Sequence, residues 1–311
     1  PDAVTNGFNL RLGWLKTDLD ELGSELRIAG QVGRETSLVF DLYKYLDRSA
    51  KFFILPRVFG ETRELTEFID DEPTSINELE QYGADIALGR EFSRHAALTV
   101  GLRAFRGDVE TLIGEPDPTD GSYGAGEYFL DWTYDRLDDR YLPNNGIFYR
   151  LGYFGAADWL GSDDEYDQLQ LTGYWAKSVG RHILSGGVSV NATVGGIAPK
   201  YAIFSAGGLF NLSGYNLGES AGQNLGVLTF IYQYEILGGF VPGRVGASVE
   251  YGGVKDDWED LFQQGEFHGS VHAGFNTPIG PAYLGFGVGE GGQRRWFMKL
   301  GRIFGRTSII R

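Results

Sequence analysis

The chain has 311 residues and a net charge of −15, with 27 Lys and Arg against 42 Asp and Glu. This acidic balance argues against a nucleic-acid partner, because phosphate backbones would be repelled, and the absence of cysteine excludes disulfides, thiolate metal sites and cysteine nucleophiles. No apolar run approaches the roughly 18 residues of a transmembrane helix, whereas 47 glycines and 14% aromatic residues favour an all-β protein, either soluble or a membrane β-barrel.

Apolar and polar side chains alternate along most of the chain, which is the pattern of a half-buried β-strand. In segment 222–236, for example, Leu228 and Phe230 lie on one face, and Thr229 and Gln233 lie on the other. The pattern predicts about fifteen strands, near 7–16, 23–33, 36–46, 51–65, 78–92, 95–107, 123–135, 146–157, 166–178, 181–194, 222–236, 243–254, 267–277, 281–289 and 293–304. Segment 201–207 is either one more strand or the base of a long loop.

Strand length and the connections distinguish the two all-β classes. Most of the predicted strands have the about 9–11 residues that a tilted strand needs to cross a bilayer, whereas strands of soluble proteins usually have about 5–6. Short turns alternate with long acidic loops at 67–77, 108–122, 158–165 and 255–266, as in outer-membrane barrels. We therefore predict a transmembrane antiparallel β-barrel that forms one domain over residues 1–311. Ordinary solvated loops on a soluble protein would leave strand length and loop alternation unexplained.

Four segments of the C-terminal half carry recognisable motifs: 135-DRLDDRYLPNNG-146, 207-GGLFNLSGYNLGESAGQN-224, 247-ASVEYGGV-254 and 273-AGFNTPIGPAYLGFG-287. In this order and spacing they resemble the bacterial surface antigen superfamily of outer-membrane barrels, which includes BamA, TamA and the two-partner secretion transporters. The resemblance implies a sixteen-stranded family of barrels, of which about fifteen strands are visible here. It also assigns a hairpin motif to Thr277, Pro278, Gly280 and Pro281.

The resemblance further implies a loop, about 207–224, that folds into the lumen. In the family this loop carries a Val-Arg-Gly-Tyr tetrad, and its Arg pairs with an acid on the barrel wall. The matching residues here are Leu212, Ser213, Gly214 and Tyr215, and the wall acid facing the loop is Glu250. Because Ser213 offers a hydrogen bond but no charge, we expect a weaker lock, or one that uses another cation.

Segment 25–58 is similar to the barrel of patatin-like phospholipase autotransporters such as PlpD. In that family an acyl hydrolase and a small periplasmic domain precede the barrel on the same chain. The resemblance implies that this sequence is the barrel alone, and that its passenger is a patatin-like phospholipase.

Residues that could carry chemistry are few. Segment 218-GESAG-222 matches the G-x-S-x-G pattern of serine hydrolases, but a nucleophile elbow needs a helix after the serine, and a β pattern follows Ser220. His268 and His272 lie on one face of a strand, where we expect lumen-facing polar residues rather than metal ligands. The acidic clusters lack the spacing of a calcium loop. We therefore predict no catalytic residue, no metal, no cofactor and no enzymatic activity for this chain.

The sequence thus predicts a multi-pass protein of the bacterial outer membrane that anchors an N-terminal passenger, with translocation of that passenger as an added role. Expected partners are outer-membrane lipids including lipopolysaccharide, the upstream passenger domain and, as a homo-oligomer, further copies of the chain. Two alternatives stay open: an assembly factor of the TamA or BamA type that inserts other barrels, and a passive pore.

Overall fold

A computed structural model describes residues 9–33, 35–69, 72–115, 120–139, 142–236, 243–277 and 280–300. The strands are β1 (Asn9–Lys16), β2 (Glu25–Gly33), β3 (Thr36–Tyr45), β4 (Phe52–Ile69), β5 (Glu72–Ser93), β6 (Ala96–Ile113), β7 (Gly121–Asp135), β8 (Gly146–Ala156), β9 (Tyr166–Val179), β10 (His182–Gly196), β11 (Phe204–Ala206), β12 (Ser220–Gly222), β13 (Asn224–Ile236), β14 (Gly243–Lys255), β15 (Glu266–Thr277), β16 (Gly280–Gly289) and β17 (Arg294–Leu300). Helix α1 (Asp260–Gln263) and a 3₁₀ turn (Asp158–Leu160) are the helical elements of the described residues.

The strands form one antiparallel sheet of 15 strands, in which β1–β10 and β13–β17 follow one another in chain order. The prediction of an all-β antiparallel fold with about fifteen strands is therefore confirmed. Strands β11 and β12 form a separate two-stranded sheet, so segment 201–207 is the base of a loop. In the part of the chain that the structure describes, no helix has the length and apolar character needed to span a bilayer.

The prediction of an acidic loop at 67–77 is wrong. Strands β4 and β5 extend into this segment from its two sides, and their pairing reaches Ile69 and Glu72 with a register shift between Glu67 and Phe68. Branched apolar residues still recur between the acids, and ladder hydrogen bonds satisfy the backbone groups that a loop would expose. The predicted loop at 108–122 is shorter than expected for the same reason, because β6 extends to Ile113 and β7 begins at Gly121.

The chain divides into two compact units, which in the described residues comprise 9–131 with 154–167, and 132–153 with 168–300. In the first unit, opposite charges face each other across neighbouring strands and are mostly buried. These ion pairs are Arg27–Asp41, Arg57–Asp85 and Arg103–Glu127. Cross-strand pairs of opposite charge stabilise the register of a sheet.

In the second unit, the sheet exposes its apolar side chains and buries its polar ones. Phe230, Val249 and Val271 are 48%, 57% and 60% exposed. Their chain neighbours Thr229 and Glu250 point to the other side of the sheet and are 7% and 0% exposed. We call these two sides the apolar face and the polar face. A sheet folded in water would show the reverse distribution.

Candidate functional site

The loop between β11 and β12 folds back on itself above a short ladder. Ala206 pairs with Ser220 at the end of this ladder. Within the loop, the Gly208 amide donates to the Tyr215 carbonyl at 3.0 Å. Phe210 and Leu212 adopt the left-handed region, with φ of 69° and 64°. Such angles cost a side-chain-bearing residue about 1–3 kcal/mol, so the surrounding contacts must hold the tip in place.

The tip of the loop binds the carboxylate of Glu250 on β14. The Ser213 amide donates to Glu250 Oε2 at 2.6 Å, and the Ser213 hydroxyl donates to Oε1 at 2.5 Å. The Ser248 hydroxyl donates to the same Oε1 at 2.6 Å and is itself bonded to Ser270 at 2.7 Å. Both Ser213 and Glu250 are fully buried. The structure thus joins the tetrad serine to the wall acid.

Neutral donors replace the expected cation. Among the described residues, no arginine or lysine pairs with Glu250, whose partners are the amide and hydroxyls of Ser213 and Ser248. A buried carboxylate is tolerated only when such hydrogen bonds compensate its lost hydration. Hydrogen bonds to a charged group each contribute about 1.5–3 kcal/mol, so three of them form a firm attachment without an ion pair.

The last two tetrad residues contact β15. The Gly214 amide donates to His268 Nδ1 at 3.1 Å, and the Tyr215 hydroxyl donates to Glu266 Oε2 at 2.5 Å. The Tyr215 ring also lies 4.7 Å from the His268 ring, centroid to centroid. The tetrad therefore bridges β14 and β15.

A strip of alternating glycines on β16 receives the loop. A Cβ at Gly285 would meet Leu209 Cδ1 at 2.7 Å, and a Cβ at Gly287 would meet Ser213 Cβ at 2.7 Å and collide with its carbonyl. A Cβ on Gly214 would lie 2.5 Å from the Cα of Gly289. Glycine is required at Gly287 and at Gly214 because the two backbones lie in contact there, whereas at Gly285 the neighbour is the Leu209 side chain. We call Gly285, Gly287 and Gly289 the glycine strip.

The turn between β7 and β8 meets the same loop. Leu142 from this turn packs in one buried cluster with Leu209 and Phe210 of the loop and with Ile231 and Tyr283 of the sheet. Arg244 on β14, also buried, donates to the Leu142 carbonyl at 3.0 Å and to Asn144 at 2.9 Å. Segment 135–146 and the loop, which are separate motifs in the sequence, thus form one packed assembly on the polar face.

The structure also places the other residues that were singled out from the sequence. Thr277 pairs with Gly280 where β15 passes to β16; Pro278 lies outside the described residues, and Pro281 pairs with Asn276. Ser220 belongs to β12 and is followed by β13 rather than a helix, so the geometry of a nucleophile elbow is missing. His268 contacts Gly214, whereas His272 contacts Gln233. Within the described ranges, no three His, Asp or Glu residues form a metal-binding group.

Sequence reasoning missed Ser248, Leu142, Arg244 and the glycine strip. Ser248 could have been found, because it precedes Glu250 by two and so shares its face. The alternation of glycine with Leu284, Phe286 and Val288 was a second available signal. The contact of Leu142 with the loop had no local signal, because about 70 residues separate them.

The sequence matches the model of the Omp85 superfamily domain over residues 22–294. The fold is similar to BamA from Haemophilus ducreyi lacking POTRA domains 1–3, with a TM-score of 0.74, 15% identity, and coverage of 94% of this chain and 68% of that chain. It is also similar to CdiB from Escherichia coli, with a TM-score of 0.65, 9% identity, and coverage of 95% and 59%.

CdiB from Acinetobacter baumannii gives a TM-score of 0.54 at 10% identity, with coverage of 94% and 58%. The chain thus spans less than two thirds of either CdiB structure. At these identities the likeness concerns the fold, which is that of an Omp85 β-barrel. Such barrels are outer-membrane transporters and insertion factors rather than enzymes. Because the family model covers most of its length, the chain belongs to the Omp85 superfamily.

Proposed function

We propose that this chain is the membrane anchor of a secretion system in the bacterial outer membrane, and that it carries and exports a passenger on its N-terminal side. The observation that carries this proposal is the inverted sheet of the second unit, with an exposed apolar face and a buried polar face. An antiparallel sheet of this kind satisfies its backbone between strands while it presents apolar side chains to lipid. Similarity to BamA and CdiB barrels supports the same location.

In this proposal the loop with tetrad Leu212–Tyr215 is a plug that is held on the polar face. Its attachment uses Glu250 and the glycine strip. A polypeptide that passes along the polar face has to displace these contacts. The Glu250 carboxylate can exchange its hydrogen bonds from neutral donors for hydrogen bonds from the amides of a passing peptide, whereas breaking an ion pair would also leave a buried cation without its partner.

The passenger is proposed to be a patatin-like phospholipase, on the strength of the similarity of segment 25–58 to that family of autotransporters. The barrel itself would supply anchoring and a path, and the lipase chemistry would reside upstream. Lipids of the outer membrane and the passenger are the proposed partners, and a second copy of the chain is a further one.

A loop lock made with cysteines tests the proposal, because the natural chain has none. Leu209 Cγ lies 3.5 Å from the Cβ position of Gly285, so the sulfur of a cysteine at 209 would lie within reach of a cysteine at 285 after a small adjustment. The L209C/G285C variant, expressed with an epitope-tagged passenger, should reach the outer membrane but display the passenger on the cell surface only under reducing conditions. The two single variants are the controls. Equal display with and without reductant would contradict export past the loop.

The second candidate is insertion of other barrels into the membrane, which the higher TM-score with BamA favours. The two functions differ in what they act on. An insertion factor in lipid vesicles should accelerate the folding of an unrelated, unfolded barrel protein. A barrel that serves only its own passenger should leave that folding rate unchanged.

A further inference from the structure

A groove interrupts the apolar face of the second unit across β8, β9, β10, β13 and β14. Its volume is about 500 Å³, and its walls include Tyr149, Trp175, Val188, Phe230 and Val249. Volumes of this size and apolar walls are typical of small-molecule sites. Because the walls are apolar side chains on an outward face, an occupant must itself be apolar along most of its length.

Two glycines keep the groove open. A Cβ at Gly173 would meet Val188 Cγ1 at 2.8 Å, and a Cβ at Gly186 would meet the Trp175 indole nitrogen at 2.5 Å. The indole therefore lies across the backbone of β10 instead of standing out from it. Any side chain at these two positions would fill the groove or lift its wall.

Three cations follow the groove towards one end of the strands. Arg136 donates its amide to the Ile147 carbonyl at 2.8 Å, and Ile147 lines the groove. Lys177 follows Trp175 by two residues on the same face, about 7 Å along the strand. Arg181 lies in the turn between β9 and β10, and all three cations are exposed.

The neighbouring acids keep their negative charge when they accept from backbone amides, and Glu235 lies beside Arg181, since its amide donates to the Arg181 carbonyl at 2.8 Å. Asp135 accepts from the Leu137 amide at 3.0 Å, and Asp139 accepts from the Leu142 amide at 2.7 Å. Asp138 accepts from the amides of residues 144 and 145 at 2.9 and 3.0 Å. Arg136 and Lys177 follow Tyr134 and Trp175 by two residues and so lie on the apolar face with them, whereas Asp135 alternates with Arg136 and points to the polar face. The two cations on the apolar face suit an anionic group.

Aromatic residues mark the same level of the sheet. The rings of Tyr134 and Tyr149 stack, with centroids 5.0 Å apart and an interplanar angle of 16°. Tyrosine and tryptophan concentrate where lipid headgroups meet the hydrocarbon layer. An apolar groove that ends at aromatic and cationic side chains matches a molecule with a long hydrocarbon tail and an anionic head.

We propose that this groove binds one glycerophospholipid, with its phosphate at Arg136, Lys177 and Arg181 and one acyl chain along Trp175 and Val188. The site rests on the proposed membrane location and adds a defined lipid partner to it. Successive connections alternate between the two ends of the strands, so the cations lie at the strand ends opposite to those from which the tetrad loop departs. The bound lipid therefore belongs to the leaflet at the level of the β7–β8 and β9–β10 turns.

Native mass spectrometry of the detergent-solubilised full chain tests this site, with dioleoyl phosphatidylglycerol as the probe. Dioleoylglycerol, which lacks the phosphate, and inorganic phosphate alone are the comparison ligands. V188W fills the groove and keeps the apolar face apolar, and V100W on β6 is its matched control. K177A/R181A removes surface charge, and R48A/K51A in the turn after β3 is the matched control.

We expect the natural chain to retain one phosphatidylglycerol through delipidating detergent. V188W should abolish this retention, and K177A/R181A should weaken it by about tenfold while binding of dioleoylglycerol stays unchanged. Both controls should behave as the natural chain. The double variant changes only exposed residues, so it keeps the test decisive if V188W does not fold.

Equal retention by the natural chain, V188W and K177A/R181A would overturn the proposal. Retention of inorganic phosphate alone would also overturn it. A dimer mass that disappears in V188W would overturn it as well, because a second copy of the chain would then occupy the apolar face. Insertion into vesicles is measured on the same samples. A chain that does not insert into vesicles contradicts the proposed function itself. A chain that inserts but retains phosphatidylglycerol equally in all variants contradicts only this site.

Discussion

Glu250→Gln is the change that most directly probes the attachment of the loop. The carboxylate accepts from the Ser213 amide through Oε2 and from the Ser213 and Ser248 hydroxyls through Oε1. A glutamine places an NH₂ group at one of these positions. If the NH₂ group replaces Oε2, it faces the Ser213 amide as a second donor; if it replaces Oε1, the two hydroxyls lose the charged acceptor of their protons and can only accept from it.

Either arrangement removes at least one hydrogen bond to a charged group. The cost is about 1.5–3 kcal/mol, which corresponds to a roughly 10- to 150-fold larger population with a displaced loop. This range assumes that the sheet keeps its shape, which is reasonable because glutamine and glutamate have nearly the same volume.

Thiol labelling measures that population. The chain has no cysteine of its own, and Leu212 at the loop tip is fully buried. A cysteine introduced by L212C should react slowly with a maleimide, and addition of E250Q should accelerate the reaction by the factor given above. E127Q in the same L212C background is the control, because Glu127 is a buried acid of the other unit. An unchanged rate with E250Q, or equal acceleration by E127Q, would refute the reasoning.

Three further changes test other contacts. Gly287→Val should lower the free energy of unfolding by about 1–3 kcal/mol, because the larger side chain overpacks against the loop. Urea titration of the folded chain in vesicles measures this change, and an unchanged midpoint would argue against the close approach of the loop to β16. Arg244→Met should lower the free energy of unfolding by about 1.5–3 kcal/mol, because the Leu142 carbonyl loses a charged donor. In the same titration its effect should be less than additive with that of Leu142→Ala, and full additivity would show that the two residues do not interact. In the turn after β3, the hydrogen bond from Ser49 lowers the pKa of Asp47. The stabilisation by this carboxylate should therefore be complete above about pH 4 and disappear as the pH falls through the lowered pKa. The difference in unfolding midpoint between the natural chain and Asp47→Asn should change with pH in the same way, and a pH-independent difference would contradict the prediction.

The strands themselves were predictable because their signal is local. Alternation of apolar and polar residues places β13 and β14 within two residues of their observed bounds, since successive side chains in a strand point to opposite faces. The same rule failed at 67–77, where acidic composition was interpreted as a loop. Strand pairing there depends on what the neighbouring chain offers, and composition does not report it.

The site was only partly predictable. Glu250 and Ser213 were found through a resemblance of motifs, and the missing arginine raised the question of what holds the loop. The answer, an amide and two hydroxyls, depends on the orientation of groups that come from separate segments of the chain. The sequence shows which residues can donate hydrogen bonds, but it does not show which of the many serines faces the carboxylate.

The amino-acid sequence alone determined the all-β class, the number of strands and the division of each strand into an apolar and a polar side, because these follow from the fixed geometry of the extended backbone. Only the tertiary structure decided which polar residues become buried partners. In the structure, Leu142 packs against Phe210, the loop lies on the glycine strip, and three cations lie towards one end of the groove. Such contacts between distant segments depend on strand register and on which backbones can approach one another.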